Sequence, residues 1–190
     1  MHILLASQSI YKQEVLRKII QNFAIENPQI DESRKEGESP SVLVERLARE
    51  KAQAVKADSD TFVIGCDQVA VFGDKILGKP LIFAKAQQQL LEFSGQEVSF
   101  LTGIALKKGE VIKSKVELFK VKFRNLSLEE INKYLEKENP LNCAGSFKSE
   151  ALGILLFSKL EGRDFNSLIG MPLIALNELF LEFNCNLLLS

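Results

Sequence analysis

The chain has 190 residues, 46% hydrophobic and 26% charged, the composition of an ordinary globular protein long enough to bury a core. Its 24 Lys and Arg against 25 Asp and Glu leave a net charge of -1, which argues against a basic nucleic-acid surface or an acidic tail. No apolar run approaches a membrane span, and the opening MHILLASQS lacks the basic and long apolar regions of a signal peptide. Three cysteines, Cys66, Cys143 and Cys185, form no C-x-x-C pair and predict free thiols in a reducing cytoplasm. The only histidine is His2, which argues against His-based zinc sites and against Ser-His-Asp or Cys-His catalysis. Acid and base chemistry must then come from Asp, Glu, Lys or a metal-bound water.

In chain order, residues 2–6 (HILLA) predict a short buried strand running into Ser7-Gln8-Ser9. An amphipathic helix follows, with Ser9 as N-cap and Leu16, Ile19, Ile20 and Phe23 at i, i+3, i+4, i+7. The polar stretch NPQIDESRKEGES has no periodicity and predicts an exposed loop. A second helix opens at Ser39-Pro40, a cap followed by proline at the first helical position, with Val44, Leu47, Ala48 and Val55 on its apolar face. The segment FVIGCDQVAVFGDKILGKP, residues 62–80, predicts a strand, a Gly73-Asp74 turn and a return strand KILGK. Asp67 interrupts the first of these strands, although carboxylates avoid strand interiors.

Beyond the hairpin, a helix from Ala84 to Phe93 ends at Gly95, and strands around Val98 to Leu106 and Val111 to Phe123 follow. Ser127 and Glu130 form a capping box for a helix that stops before Pro140. Residues 141–171 predict loops with a strand or two, and a last helix begins near Pro172, with Leu176, Leu179, Phe180 and Phe183 on one face. No repeat, low-complexity tract or linker divides the chain, so residues 1–190 predict one domain.

Several residues carry chemistry. Ser7 and Ser9 at a helix start offer donors to a phosphate, and Lys12 in the first turn adds charge, although a plain serine cap explains the same pattern. Lys51 lies on the apolar face of the second helix, where it either snorkels to the edge or reaches into a cleft. The hairpin register sets Lys79 opposite Gln68, within one residue, and so beside Asp67; that pair either fixes register or serves a site, and Gly65 and Gly78 leave room for a close approach. Glu32, after Asp31 in the polar loop, offers a further carboxylate, and CAGSFKSE (143–150) brings Lys148 and Glu150 among small residues. Three lysines, a serine-capped helix and a carboxylate suit a phosphate-rich substrate bound with a divalent metal.

The motifs LLASQS, IDES, LAREKA, IGCDQV, LGKP, TGIAL, NPLNCAGSFKSEALG and LEGRDFNSLIGMPL resemble, in order and over nearly the whole chain, those of the Maf family of nucleoside triphosphate pyrophosphatases. GCDQV and CAGSFKSE are similar to the YceF-type branch, which cleaves N7-methyl-GTP, rather than the branch that cleaves dTTP and UTP. The resemblance implies an α/β fold related to inosine triphosphate pyrophosphatases, an elongated mixed β-sheet flanked by helices with a central active-site cleft. It implies hydrolysis of a nucleoside triphosphate to the monophosphate and pyrophosphate with Mg²⁺ or Mn²⁺, a cytoplasmic location, often a homodimer, and house-cleaning of modified nucleotides. Position by position, it implies Asp67 as catalytic base, and Ser7, Ser9, Lys12, Glu32, Lys51 and Lys79 around phosphate and metal, with Glu32 and Asp67 as metal ligands. It makes Tyr11, Gln68 and Glu150 the residues of substrate choice.

The chain departs from the family pattern in its first motif. Ile10, Tyr11, Lys12 and Gln13 follow Ser9 where the family has proline and arginines, and lysine keeps the charge but loses the guanidinium fork. Family members are also linked to septum formation, so a nucleotide-binding regulator with little catalysis is the rival from another class.

Overall fold

The computed structural model describes residues 1–189 and contains seven strands and six α-helices among them. They are β1 (Ile3–Ala6), α1 (Ile10–Leu16), β2 (Ala24–Glu26), α2 (Pro40–Ala54), β3 (Phe62–Phe72), β4 (Lys75–Leu77), α3 (Phe83–Phe93), β5 (Glu97–Lys108), β6 (Val111–Phe123), α4 (Leu128–Glu138), β7 (Phe157–Glu161), α5 (Phe165–Ile169) and α6 (Leu173–Glu182). The strands hydrogen-bond in the order β2-β1-β3-β5-β6-β7, with β4 on β3, in a mixed α/β fold. No helix among the described residues is long and apolar enough to cross a membrane. The chain divides into two compact units, the first of residues 1–68, 101–117 and 164–190, the second of 69–100 and 118–163.

In the first unit β1 pairs in parallel with both β2 and β3, Leu4 facing Ala24 on one side and Val63 on the other. The two-residue alternation of strands sorts the side chains to opposite faces. Ile3, Leu5, Phe62, Ile64, Cys66, Ile104 and Leu106 pack with Val15 and Leu16 of α1 and with Leu176, Leu179 and Phe180 of α6. Ala6, Val63 and Ala105 pack on the other face with Ala48, Ala52 and Val55.

The residues that meet α2 are small for a reason. A Cβ on Gly65 would lie 2.0 Å from the Ala48 carbonyl oxygen and 2.8 Å from the Ala52 nitrogen, and one on Gly103 would lie 2.1 Å from the Val44 oxygen. The helix backbone therefore rests directly on two glycines.

The first helix is shorter than its apolar spacing predicts. α1 ends at Leu16, so Ile19, Ile20 and Phe23 lie beyond it. The chain must turn there to lay β2 beside β1; Ile20 still buries in the core while Ile19 is left exposed. β2, in the three residues between the expected helix and the expected loop, is an edge strand with every residue exposed. The polar stretch after it carries no helix or strand, α2 opens at the Ser39 cap with Pro40 first, and α6 follows Pro172 as expected. Asp67 does not interrupt β3, which runs unbroken through it.

In the second unit the β3–β4 hairpin pairs Phe72 with Lys75, Val71 with Ile76 and Ala70 with Leu77 across the Gly73-Asp74 turn. The ladder stops at Leu77, so Gly78 and Lys79 are not part of the return strand. Pro80 has no N–H to extend it, and Leu81 turns to φ 64° and donates its N–H to the Leu141 carbonyl at 2.9 Å. The core of this unit is aromatic. Phe72, Phe93, Phe123, Phe147 and Phe157 contact one another edge-on or tilted, with centroids 4.9–5.7 Å apart. Its helix α4 carries the expected capping box, and α3 ends with Gly95 at φ 69°. Residues 141–171 hold β7, two 3₁₀ turns and the short helix α5, which the sequence left among loops.

Gly65→Ala is expected to cost about 3 kcal/mol in stability, at the upper end for overpacking because the obstructing atoms are backbone, and so to lower the urea midpoint. An unchanged midpoint would mean that α2 shifts off β3 without cost.

Candidate active site

Asp67 belongs to the set of β3 residues, with Val63 and Gly65, that points toward α2. It is buried, and so is Lys51 on that helix. The Lys51 ammonium donates to Asp67 Oδ1 at 2.6 Å and meets Glu32 Oε1 at 2.7 Å. One cation is thus shared by a buried strand carboxylate and a largely exposed loop carboxylate. Burial by itself would push the Lys51 pKa down; the Asp67 and Glu32 carboxylates outweigh it and hold it above the ordinary lysine value. Lys51 therefore stays charged through neutral and mildly alkaline pH. The sequence left open whether Lys51 snorkels away or turns inward, and it turns inward.

Lys12 approaches the same strand from α1. Its Nζ donates to the Cys66 carbonyl at 2.7 Å, one residue before Asp67. An ammonium has three donors, so Lys12 keeps capacity for an anion. Ser9 caps α1, its hydroxyl accepting from the Lys12 N–H at 3.5 Å, and the Ser7 hydroxyl accepts from the Ser9 N–H at 3.2 Å. Each serine so used as an acceptor still has an O–H to donate. Tyr11 sits half-buried on the same helix.

Gln68, next along β3, faces away from α2. Its Nε2 donates to the Thr102 hydroxyl at 2.9 Å and to the Ser167 and Leu168 carbonyls at 2.7 and 3.3 Å. Thr102 also donates to the Ser167 carbonyl at 3.0 Å, and the Cys66 thiol, whose pKa burial pushes up, donates to the Gly170 carbonyl at 2.9 Å. The α5 segment is therefore tied to the strand that carries Asp67. One buried carboxylate sets that corner: Asp164 accepts from Asn166 N at the start of α5 and from Ile174 N at the start of α6, both at 2.9 Å.

Lys79 and Glu150 lie in the second unit, both exposed; Glu150 accepts from the Ser149 hydroxyl at 3.3 Å, while Lys148 Nζ donates to the Glu138 carbonyl at 2.7 Å. The structure thus brings Asp67, Lys51 and Glu32 into direct contact, with Lys12 on the adjoining carbonyl. Among the described residues no three His, Cys, Asp or Glu side chains gather as a metal cage. Two hard carboxylates beside one another are nonetheless a donor set that fits Mg²⁺ or Mn²⁺, which take one or two carboxylates plus substrate phosphates rather than an all-protein cage.

Sequence reasoning missed the group that borders this trio. Arg46, off the apolar face of α2, meets both oxygens of Glu38, at 2.6 Å from Nε and 2.9 Å from Nη2. It also donates to Glu50 Oε2 at 2.9 Å and to the Ser33 carbonyl at 3.0 Å. Glu38 is buried at the end of a polar loop, and an isolated Glu in such a loop gives no periodic signal that marks it as inside. The hydrogen bond from Arg46, opposed by burial and aided by the Lys35 N–H, pulls its pKa from 4.5 to about 2.

A lowered carboxyl pKa contributes stability above the unfolded value and loses it as pH falls through the folded one. Glu38→Gln is therefore expected to have a lower urea midpoint than wild type at neutral pH. That gap should shrink as pH falls below 4.5 toward about 2. A gap independent of pH would show that the carboxylate charge is not what stabilises the loop.

Residues 2–183 match the family described as Maf-like protein. A 7-methyl-GTP pyrophosphatase of Alcanivorax borkumensis is 52% identical over 180 residues, 93% of this chain and 91% of that one. One of Pseudomonas putida is 49% identical over 177 residues, 92% of each chain. Among solved structures, the Staphylococcus aureus Ham1 protein aligns over 97% of this chain and 100% of its own, with TM-score 0.48 and 18% identity. With its motifs in order and the match spanning nearly its whole length, this chain belongs to the Maf family.

Proposed function

We propose that this chain is a nucleoside triphosphate pyrophosphatase that hydrolyses N7-methyl-GTP to N7-methyl-GMP and pyrophosphate, acting in the cytoplasm as one catalytic domain and often as a homodimer. The observation that carries the chemistry is the Lys51 ammonium held between Asp67 and Glu32 in a protein whose only histidine is His2. The names of relatives about half identical to it support the substrate.

On this reading Asp67 positions a water and accepts its proton as the oxygen attacks the α-phosphorus. The bond from that phosphorus to the α–β bridging oxygen breaks, and pyrophosphate leaves with the electron pair. Lys51 holds the Asp67 carboxylate in place by its 2.6 Å hydrogen bond, while Lys12, Lys79 and the hydroxyls of Ser7 and Ser9 stabilise negative charge on the phosphates. Mg²⁺ or Mn²⁺, held by Glu32 and Asp67, would supply further neutralisation of the phosphate oxygens.

Substrate choice rests on charge. N7-methylguanine carries a positive ring, which the Tyr11 face attracts by about 0.5–2 kcal/mol, depending on desolvation. Glu150 accepts from guanine N1–H and its exocyclic amine, a pair that thymine and uracil lack. The amide hydrogens of Gln68 are spent on Thr102, Ser167 and Leu168, so it contributes to choice through its oxygen or by holding α5.

The test is pyrophosphate release with Mg²⁺ or Mn²⁺ across N7-methyl-GTP, GTP, dTTP, UTP and ITP. Selective release from N7-methyl-GTP is expected. Release from dTTP or UTP instead discards the branch assignment, and nucleotide binding without turnover favours the regulator. Asp67→Asn should lose at least about 10³-fold in turnover while its circular dichroism stays native, since both base and metal ligand are removed; retained turnover would remove Asp67 from the mechanism. Tyr11→Arg, Gln68→Thr and Glu150→Gln combined should move preference toward dTTP or UTP, and an unchanged ratio of kcat/KM values means these positions do not govern choice.

A further inference from the structure

The geometry points to Arg46 as a positioning residue that, through Glu38 and the Ser33 carbonyl, holds Glu32 against Lys51. Glu32 stands on a stretch without helix or strand, and a glutamate there gives up side-chain freedom to form an ion pair. The backbone beneath it must be held by something else. Within the loop, Asp31 Oδ1 accepts from the Ser33 N–H at 2.9 Å, Arg34 Nε donates to the Glu38 carbonyl at 2.8 Å, and the Lys35 N–H donates to Glu38 Oε2 at 3.1 Å. These bonds fold the loop around the Glu38 carboxylate. Arg46 then fastens that carboxylate, and the carbonyl of the residue next to Glu32, to α2.

The anchor and its target share one helix. Arg46 and Lys51 are five residues apart on α2, about 7.5 Å along the axis, so a loop fastened at Arg46 carries its glutamate at a set distance from the Lys51 ammonium. The guanidinium is needed for its shape. Nε and Nη2 take the two Glu38 oxygens while Nη1 takes Glu50, and a lysine at this position keeps the charge but cannot make those bonds together. Without the latch Lys51 would lean on Asp67 alone, and the second carboxylate would leave the trio.

Only the kinetic consequence of this arrangement rests on the proposed hydrolysis; the geometry is tested without it. The readout is hydrogen exchange of the Lys51 ammonium in the full chain, followed by lysine ¹⁵Nζ spectroscopy in mildly acidic buffer and assigned with Lys51→Arg. Arg46→Lys and Glu38→Asp both conserve charge, so a change in either reports position and not a lost field. Exchange should accelerate in both toward the rate of Glu32→Gln, and Glu32→Gln combined with Arg46→Lys should be no faster than Glu32→Gln alone. Wild-type exchange in both charge-conserving variants overturns the inference. Additive acceleration in the double variant, or unchanged exchange in Glu32→Gln, overturns it equally. Pyrophosphate release from N7-methyl-GTP should also fall about 10-fold or more in Arg46→Lys and Glu38→Asp, the usual cost of losing support behind a ligating carboxylate. A wild-type chain that releases no pyrophosphate overturns the proposed function, and the exchange comparison then decides the latch by itself.

Discussion

The buried pair between Asp67 and Lys51 is the constraint on which the first unit turns. A carboxylate in the interior of a strand costs several kcal/mol unless a cation and further donors meet it. β3 accepts that cost at its sixth residue, and α2 is laid so closely on the strand that its lysine reaches the charge. The close approach is possible because Gly65, two residues before Asp67 and on the same face, has no side chain to hold the helix away. Helix, glycine and acid are three parts of one device.

The alternation of β3 divides the labour between its two faces. Toward α2 points its one charged residue, Asp67. Toward α5 and α6 point Cys66 and Gln68, whose hydrogen bonds go to the Gly170, Ser167 and Leu168 carbonyls. The second set does no charge chemistry, yet it fixes the strand from behind, and Asp164 keeps the two helices there at their angle by capping both. Lys12 joins the two sides at the strand backbone itself, through the Cys66 carbonyl. A small movement of β3 would thus disturb partners on both faces at once, a packing arrangement that favours a fixed rather than an adaptable Asp67 carboxylate.

Much of this was legible in the residues. The caps at Ser9, Ser39 and Ser127 and the hairpin turn at Gly73-Asp74 act locally, so the chain declares them without help from distant segments. Asp67 and Lys51 stood out for a related reason: each is a charged residue on an otherwise apolar pattern. Ile19, Ile20 and Phe23 misled, because a helical spacing continues to look helical after the chain has turned to place an edge strand. Glu38 and Arg46 gave no sign of each other. Their pairing crosses the mouth of a loop, and loops carry no period from which a partner can be read.

By itself, then, the sequence determined the local starts and stops, the alternation of the buried strands, the absence of histidine chemistry beyond His2, and the family, since each of these depends on residue type at short spacing or on ordered motifs. Only the tertiary structure decided which partner each charged group takes. It gave Lys51 to Asp67 and Glu32 together, turned Gln68 to the opposite face, and closed the loop under Glu32 with Arg46. The physical reason is range. Caps and turns act over three or four residues, whereas the partner of a buried charge is set by which helix can approach which strand, and here that depended on glycines 17 and 59 residues away from the Ala48 and Val44 carbonyls they admit.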